Sequence, residues 1–295
     1  VHGLATRADP MTALRTIVSA LATNDPEAAN SADPELAAQA GTRLLAQIPT
    51  AMAAFHRVRA GLPIIPPDDD LDIAANFLWM LRGSRPSDDE SRIFDACLTL
   101  HAEHGFNAST FAARCTASTL SDVYSAITTA VGTLKGPLHG GANTAVMETL
   151  LEIEQVERVE AWVETAMTEK RKIMGFGHRV YKVDDPRSTF LRRYSRDMAG
   201  LSGESRWYEL SEALVSAVKQ RKPLILNVDF FSASTYYSLG IPPDLYTALF
   251  AISRLPGWIA HVLEQYRDNR LIRPKAAYTG PGPRAFTPIE ERGQK

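Results

Sequence analysis

Apolar residues recur at three- and four-residue spacing along most of this chain, and almost no stretch alternates apolar with polar residues. Spacing of three and four places side chains on one face of an α-helix, whereas strict alternation is the pattern of a half-buried strand. Helix start signals punctuate the pattern. Asp9-Pro10 and Asp33-Pro34 each place an N-cap residue before a proline, and Ser87 begins a capping box that ends at Glu90. The sequence therefore predicts an all-α protein.

Prolines inside two of the helical patterns predict breaks. The pattern that begins at Pro34 is expected to end at Pro49, with a separate helix over 51–59 after it. Pro256-Gly257 is expected to break the helix that holds Arg254 at its buried end. Both expectations rest on the backbone donor that proline lacks and on the clash of its ring with the preceding turn.

Composition narrows the class of protein. A chain of 295 residues can form one large domain or two unequal ones, and a net charge of -2 gives no global field that favours nucleic acid or a membrane surface. Neither a bilayer-spanning apolar run nor a basic-then-apolar leader is found. The two cysteines, Cys97 and Cys115, lie in apolar helical patterns and match no metal spacing, so we expect buried thiols without a disulfide. We therefore expect a cytoplasmic protein, and the helix so soon after Val1 suggests a trimmed or missing start.

The first unusual segment is KGPLHGGAN, which spans 135–143 and places His139 between a proline turn and a glycine pair. Proline and glycine reduce helix stability, so core packing does not explain the arrangement. Without a Cβ at Gly140 and Gly141, a ligand could approach the backbone while the imidazole is held at an element boundary. A helix–loop–helix turn with an incidental histidine is the alternative, and this segment alone favours neither.

The second segment is MGFGHRVYK, with His178 after a glycine and with Asp185-Pro186-Arg187 following. Its Gly-x-Gly is not a dinucleotide fingerprint, because no strand precedes it and the third glycine is missing. A histidine beside arginines suits a clamp for a carboxylate. Basic residues also outnumber acids between 171 and 193, which suits an anionic small ligand: Arg171, Lys172, Arg179, Lys182, Arg187, Arg192 and Arg193.

The third segment, LILNVDFFS over 224–232, sets Asp229 in an apolar run. An ionised carboxylate is costly to bury there. Asp229 is therefore expected either to cap the following helix or to have its pKa raised by desolvation for use as a base, and the two roles are compatible.

Two further histidines extend the apolar stripe of Phe94 and Cys97 along one helix face, at His101 and His104. We expect His101 to be a hydrogen-bonded core residue, whereas His104 is open to a ligand-facing role. A zinc site is an alternative for the pair, but no plausible third ligand lies nearby.

Taken together, GPLHGGAN, GFGHRVYK with DPR after it, and NVDFFS resemble, in this order, the three signature segments of the citrate synthase family. HAEHGFNAST resembles the segment that precedes them, and the resemblance extends from about residue 10 to about residue 280. The chain is shorter than the family at its N-terminus, and Gly105 stands where relatives commonly carry Glu. The resemblance implies a large helical domain over 1–149 and 254–295 and a smaller domain over 150–253 that closes over the active site.

The resemblance also implies a mechanism. His139 would hydrogen-bond the thioester carbonyl of acetyl-CoA while Asp229 removes a methyl proton, and His178 would polarise the ketone of oxaloacetate. Citryl-CoA would then be hydrolysed. The substrate carboxylates would be held by four residues: His104, Arg187, Arg254 and, from the neighbouring subunit of a homodimer, Arg273. The resemblance implies no cofactor and no metal, since acetyl-CoA is a substrate.

Three alternatives stay open. 2-Methylcitrate synthases share the three segments and use propionyl-CoA, and one methylene changes discrimination by only ~1–3 kcal/mol, so the motifs favour acetyl-CoA only modestly. A non-catalytic helical dimer of the same fold and, more distantly, a metal hydrolase built on the seven histidines are the others.

Overall fold

A computed structural model of the chain describes residues 1–4, 8–178 and 181–293, and these residues form twelve α-helices and no strand. The predicted all-α class is confirmed. An isolated antiparallel bridge between Phe176 and Leu226 is the one extended pairing in the described ranges. None of the described helices is both long and apolar enough to cross a membrane. Arg179, one of the basic residues of 171–193, lies outside the described residues.

The helices follow the chain in this order: α1 (Pro10–Leu21), α2 (Pro34–Arg59), α3 (Ile73–Arg82), α4 (Asp88–His101), α5 (Ala108–Ala117), α6 (Val123–Leu134), α7 (Ala142–Ile153), α8 (Val159–Thr168), α9 (Pro186–Ser202), α10 (Arg206–Arg221), α11 (Asp229–Ser238) and α12 (Tyr246–Arg267).

The predicted helix starts are confirmed by their capping bonds. The Asp9 side chain accepts from the Thr12 N–H at the start of α1, and Asp33 caps α2 in the same way. Ser87 and Glu90 form the reciprocal bonds of a capping box at the start of α4. Each cap satisfies backbone donors that the first helical turn leaves unpaired.

The two predicted proline breaks are wrong, because α2 runs through Pro49 and α12 runs through Pro256 without interruption. An interior proline costs about 3 kcal/mol. Apolar side chains are fully buried on both sides of each proline, Ile48 and Met52 in α2 and Leu255 and Trp258 in α12. Burial of each such side chain contributes about 1.5–3 kcal/mol, so packing offsets the loss in both helices.

Helix α12 is the central element of one half of the fold and packs against α2, α4, α5 and α6. Helix α11 has the same position in the other half, against α7, α9 and α10. The contact between α12 and the chain after α4 is close: a Cβ on Gly257 would lie 2.3 Å from the Ala102 carbonyl oxygen. Packing therefore requires glycine at 257, and the Pro256-Gly257 pair does not mark the end of a helix.

We expect Gly257→Ala to destabilise the protein by about 1–3 kcal/mol, because the added methyl group overlaps a backbone atom that cannot rotate away. Gly132→Ala is the matched control: it adds a methyl group at an exposed position of α6, where the nearest atom outside the helix, Arg15 Cδ, lies 3.8 Å away. That change should stabilise by up to about 1 kcal/mol through helix propensity. Urea unfolding of both variants measures the difference, and equal stabilities would contradict the packing argument.

Candidate active site

His139 lies in the turn between α6 and α7. The turn is closed by hydrogen bonds from the His139 N–H to the Gly136 carbonyl, at 2.9 Å, and from the Gly140 N–H to the Leu134 carbonyl, at 3.0 Å. A Cβ on Gly140 would lie 2.4 Å from that same Leu134 oxygen, whereas the space beside Gly141 is open. Close approach by a ligand is therefore possible at Gly141, but Gly140 is needed for packing within the protein.

The His139 ring is oriented by the start of α5. Its Nε2 accepts from the Ser109 backbone N–H at 3.2 Å and lies 2.9 Å from Ser109 Oγ. A ring nitrogen that accepts an N–H bond carries no proton, so this contact assigns the proton of the neutral ring to Nδ1. Burial, followed by the charge of Arg254, lowers the pKa of His139. His139 is thus a neutral imidazole with one donor, Nδ1–H.

The loop that carries His178 is tied to the segment that leads into Asp229. Gly177 donates its N–H to Ile225 at 2.7 Å, and Asn227 donates its backbone N–H to Gly175 at 3.1 Å. Gly175 has a φ of +82°, and a Cβ there would lie 2.5 Å from the Phe230 ring. These bonds bring together two functional segments that are about 50 residues apart in the sequence.

His178 and His104 face each other, with 3.3 Å between their Nε2 atoms. His178 Nδ1 accepts from the Tyr181 N–H at 2.9 Å, which places the proton of the neutral ring on Nε2. Burial is the main cause that lowers the pKa of both rings, and for His104 the charge of Arg187 is next. Both rings are therefore uncharged, and their Nε2 atoms lie next to each other.

Arg187 is held in a bidentate pair with fully buried Asp185, through Nε at 3.0 Å and a terminal nitrogen at 2.6 Å. Burial alone would raise the pKa of Asp185, but the hydrogen bonds from Arg187 outweigh it and hold the pKa below its usual value. Arg187 also donates to the Leu100 carbonyl at 3.3 Å. Its guanidinium is fixed beside the end of α4.

Arg254 is a buried cation, with 2% of its surface exposed. Its Nε donates to the His101 carbonyl at 2.6 Å, and its guanidinium lies 4.8 Å from the centre of the Phe250 ring. In the described part of the chain no carboxylate forms an ion pair with it, and burial lowers its pKa to about 10. A buried charge without a partner is unfavourable, so pairing with an anion would stabilise the Arg254 guanidinium.

Asp229 begins α11, but it does not cap the helix: the N-cap residue is Val228, and no side chain makes a capping bond. The Asp229 carboxylate accepts no hydrogen bond from the described residues, and burial raises its pKa to about 6. The charges of Arg187 and Arg254 act in the opposite direction. Of the two expectations for Asp229, desolvation is confirmed and capping is not.

His101 is the core residue that the sequence predicts. It is fully buried, its Nδ1 donates to the Cys97 carbonyl at 2.7 Å, and burial lowers its pKa to about 4. The ring is neutral and lies against Phe250. Within the described ranges, no group of three or more histidine, cysteine, aspartate or glutamate side chains is placed to hold a metal ion.

Arg273 is the one proposed site residue that the fold keeps apart from the others. It is exposed, in the chain that follows α12. Next to it, Ile272 donates its N–H to Ser118 Oγ, at the far end of α5 from Ser109. Nine residues separate the two serines, which corresponds to about 14 Å along the helix.

Sequence reasoning missed four residues that organise this site: Asn107, Ser109, Asp185 and Trp258. Ser109 lies within HAEHGFNAST and Asp185 within the Asp-Pro-Arg that follows MGFGHRVYK, but the sequence assigns neither residue a role in the site. Their roles depend on contacts between distant segments, such as the bond from Trp258 Nε1 to Ser109 Oγ, at 3.1 Å. The local signals available were the preference of Asn107 for an N-cap position and the Asp185-Pro186 pair, and both residues do cap helices, α5 and α9.

Comparisons with known proteins find similar sequences and structures in one family. The family model described as citrate synthase, C-terminal domain, matches residues 1–275. Citrate synthase 2 of Bacillus subtilis is 53% identical over 96% of this chain and 76% of its own length. 2-Methylcitrate synthase 2 of Corynebacterium glutamicum is 44% identical over 99% of this chain and 77% of its own length. A citrate synthase of Thermoplasma acidophilum, solved as a ternary complex with carboxymethyl coenzyme A and oxaloacetate, superimposes with a TM-score of 0.86 at 32% identity, over 97% of this chain and 76% of that one.

We expect Asp229→Asn to stabilise the folded protein at pH 8 by roughly 1–3 kcal/mol, from 1.36 kcal/mol per unit of pKa shift. The unfolded chain loses this proton near pH 3.8 and the folded protein near pH 6, so wild-type stability falls between those values. The advantage of Asn should grow from about pH 4 to pH 6 and stay constant above. Urea unfolding across this range measures it.

Asp69→Asn, on an exposed loop, is the control for loss of one negative charge. A pH-independent effect of Asp229→Asn would show that desolvation of this carboxyl is not what destabilises the fold.

Proposed function

The chain belongs to the citrate synthase family, and we propose that it condenses acetyl-CoA with oxaloacetate and water to citrate and CoA. The observation that carries this proposal is a desolvated carboxylate, Asp229, in the same charged cluster as a neutral imidazole, His139, and a buried cation, Arg254. Removal of a proton next to a thioester requires a base, here Asp229, and a hydrogen-bond donor to the thioester oxygen, here His139.

The first step is enolisation of the acetyl group. A thioester α-proton is very weakly acidic, so a carboxylate removes it only if the developing oxyanion is stabilised at the same moment. Asp229 takes the methyl proton, and its raised pKa makes it a stronger base than an exposed aspartate. The Nδ1–H of His139 donates to the thioester oxygen, and because Nε2 is already engaged by Ser109 the ring stays neutral.

The second step joins the two substrates. The enol carbon attacks the ketone carbon of oxaloacetate, and His178 donates a proton to the ketone oxygen as the new bond forms. Arg254, Arg187 and His104 hold the substrate carboxylates, since charge-assisted bonds of this type are strong and can be bidentate. Water then hydrolyses citryl-CoA and releases CoA.

We place Arg273 of the partner subunit in the oxaloacetate site and propose a homodimer. The position of this residue supports the assignment: it is exposed and follows a backbone contact at the opposite end of α5 from His139. At that position Arg273 is better placed to reach the oxaloacetate site of a neighbouring subunit than the site of its own chain.

The proposed small domain covers 150–253, and the large domain covers 1–149 and 254–295. This division puts His178 and Asp229 on one domain and His104 and Arg254 on the other, so that closure assembles the site and excludes water. Both boundaries fall within helices, the first in α7 and the second in α12, so the proposed closure requires these two helices to bend at the boundaries.

The chemistry proposed here uses no metal and no bound cofactor. We place it in the cytoplasm, in keeping with the free thiols of Cys97 and Cys115. Propionyl-CoA is the alternative acyl donor, supported by the 44% identical 2-methylcitrate synthase.

Release of CoA thiol from acetyl-CoA with oxaloacetate tests the function. We expect turnover with kcat/KM higher for acetyl-CoA than for propionyl-CoA, and no turnover for Asp229→Ala, which keeps the oxaloacetate contacts of Arg254 and His104. A higher kcat/KM for propionyl-CoA would make the protein a 2-methylcitrate synthase. No thiol release above the uncatalysed rate with either donor would favour the non-catalytic dimer.

Mixing two inactive variants tests the contribution of Arg273 across the dimer. In a mixture of Asp229→Ala and Arg273→Ala protomers, each mixed dimer has one complete site if Arg273 acts on the partner, so about a quarter of wild-type activity returns after exchange of subunits. If Arg273 acts within its own chain, no dimer has a complete site and no activity returns. Each variant alone, exchanged with itself, is the control.

A further inference from the structure

One face of α12 is in contact with the segment 101–109, which carries His104 and Ser109. Arg254, Gly257, Trp258 and His261 follow at three- and four-residue spacing, so they lie on one side of the helix. Arg254 donates to the His101 carbonyl, and His261 Nε2 lies 3.1 Å from Glu103 Oε1. These contacts hold the segment 101–109 against α12.

Trp258 makes the contact closest to the proposed chemistry. It is fully buried, and its indole N–H donates to Ser109 Oγ at 3.1 Å. The same oxygen lies 2.9 Å from His139 Nε2 and 2.8 Å from Asn107 Oδ1. Only one atom therefore separates the tryptophan from the ring of His139.

The direction of these bonds can be worked out from the donors available. Asn107 Oδ1 accepts from the Thr110 N–H, so it is an oxygen and cannot donate. An indole N–H is a donor only, and it occupies one of the two acceptor positions of Ser109 Oγ. The Ser109 hydroxyl donates its one hydrogen to Asn107 Oδ1, so a bond from His139 Nε2–H could use only the second acceptor position of Oγ. An oxygen that already accepts from the indole is a poorer acceptor at that second position.

This state of the hydroxyl affects the tautomer of His139. If Trp258 did not bind Ser109 Oγ, that oxygen would be a stronger acceptor, and a ring proton on Nε2 that donates to it would compete with the bond from the Ser109 backbone N–H to Nε2. Nδ1 would then lack the hydrogen that the thioester oxygen needs. With Trp258 bound to Oγ, the Nε2–H form is disfavoured and the Nδ1–H form is retained.

We infer that Trp258 is a positioning residue for enolisation, acting through Ser109 to keep the donor of His139 on Nδ1. The inference rests on the proposed function, because it assigns Trp258 to the step in which His139 stabilises the enolate. Trp258 touches no substrate in this arrangement, and its effect reaches the reaction only through the serine hydroxyl.

The test is Trp258→Phe, which keeps an aromatic ring and removes the N–H. We expect kcat for CoA release to fall roughly two- to tenfold, the effect of one hydrogen bond, with KM for oxaloacetate unchanged because Arg254 and His104 are untouched. The matched control is Trp79→Phe, whose indole donates to the Pro66 carbonyl at 3.2 Å in an exposed loop, and whose kcat should equal that of the wild type.

A double-mutant cycle with Ser109→Ala separates positioning from general loss of packing. Without the serine hydroxyl the indole has no route to His139, so Trp258→Phe should have no further effect on kcat in that background. An equal fall in kcat in both backgrounds, or an unchanged kcat in Trp258→Phe alone, would overturn the inference.

Nitrogen NMR of histidine-labelled, ligand-free protein gives a readout that does not depend on turnover. The His139 signals, assigned by their loss in His139→Gln, should show the Nδ1–H tautomer in the wild type and an increased Nε2–H population in Trp258→Phe. An unchanged tautomer would also overturn the inference. Absence of CoA release by the wild type would instead contradict the proposed function.

Discussion

The burial of Arg254 without a carboxylate partner is the interaction on which the rest of the site depends. Removal of a charge from water costs several kcal/mol, and within the described residues only the His101 carbonyl and the Phe250 ring compensate it directly. The same charge also lowers the pKa of His139 and His104 and opposes the rise in the pKa of Asp229. The guanidinium therefore adds to the burial that keeps the two imidazoles neutral, and together with Arg187 it favours the ionised form of the Asp229 carboxyl.

Two kinds of connection hold the other groups around that charge. Backbone hydrogen bonds join the His178 loop to the segment before Asp229, so these two side chains move together. Side chains of α12, by contrast, hold the segment of His104 and Ser109, which in turn orients His139. The site residues thus form two groups, each connected by its own hydrogen bonds, and the proposed closure would move one group against the other.

The sequence predicts the helices well where a local signal exists and poorly where packing decides. Caps such as Asp33 and Ser87 are read from neighbouring residues, because the capping bond spans only three positions. Pro49 and Pro256 were misread because burial on both sides of each proline is a property of the whole fold. In the same way, the sequence indicates which histidines and acids matter. It does not show that Trp258 connects to His139 through Ser109, because Trp258 and Ser109 are 149 positions apart in the sequence.

In the mechanism that we propose, the electrostatic coupling within the site also gives an order to the reaction. Arg254, and Arg187 even though it pairs with Asp185, lower the pKa of Asp229. Once a dicarboxylate such as oxaloacetate pairs with these arginines, their effect on Asp229 is largely cancelled and its pKa rises further. A carboxylate of higher pKa is a stronger base as long as it remains ionised, so Asp229 becomes most able to remove the methyl proton when the ketone that will consume the enol is already bound. The same two cations that bind the first substrate thereby restrain enolisation until that substrate is in place.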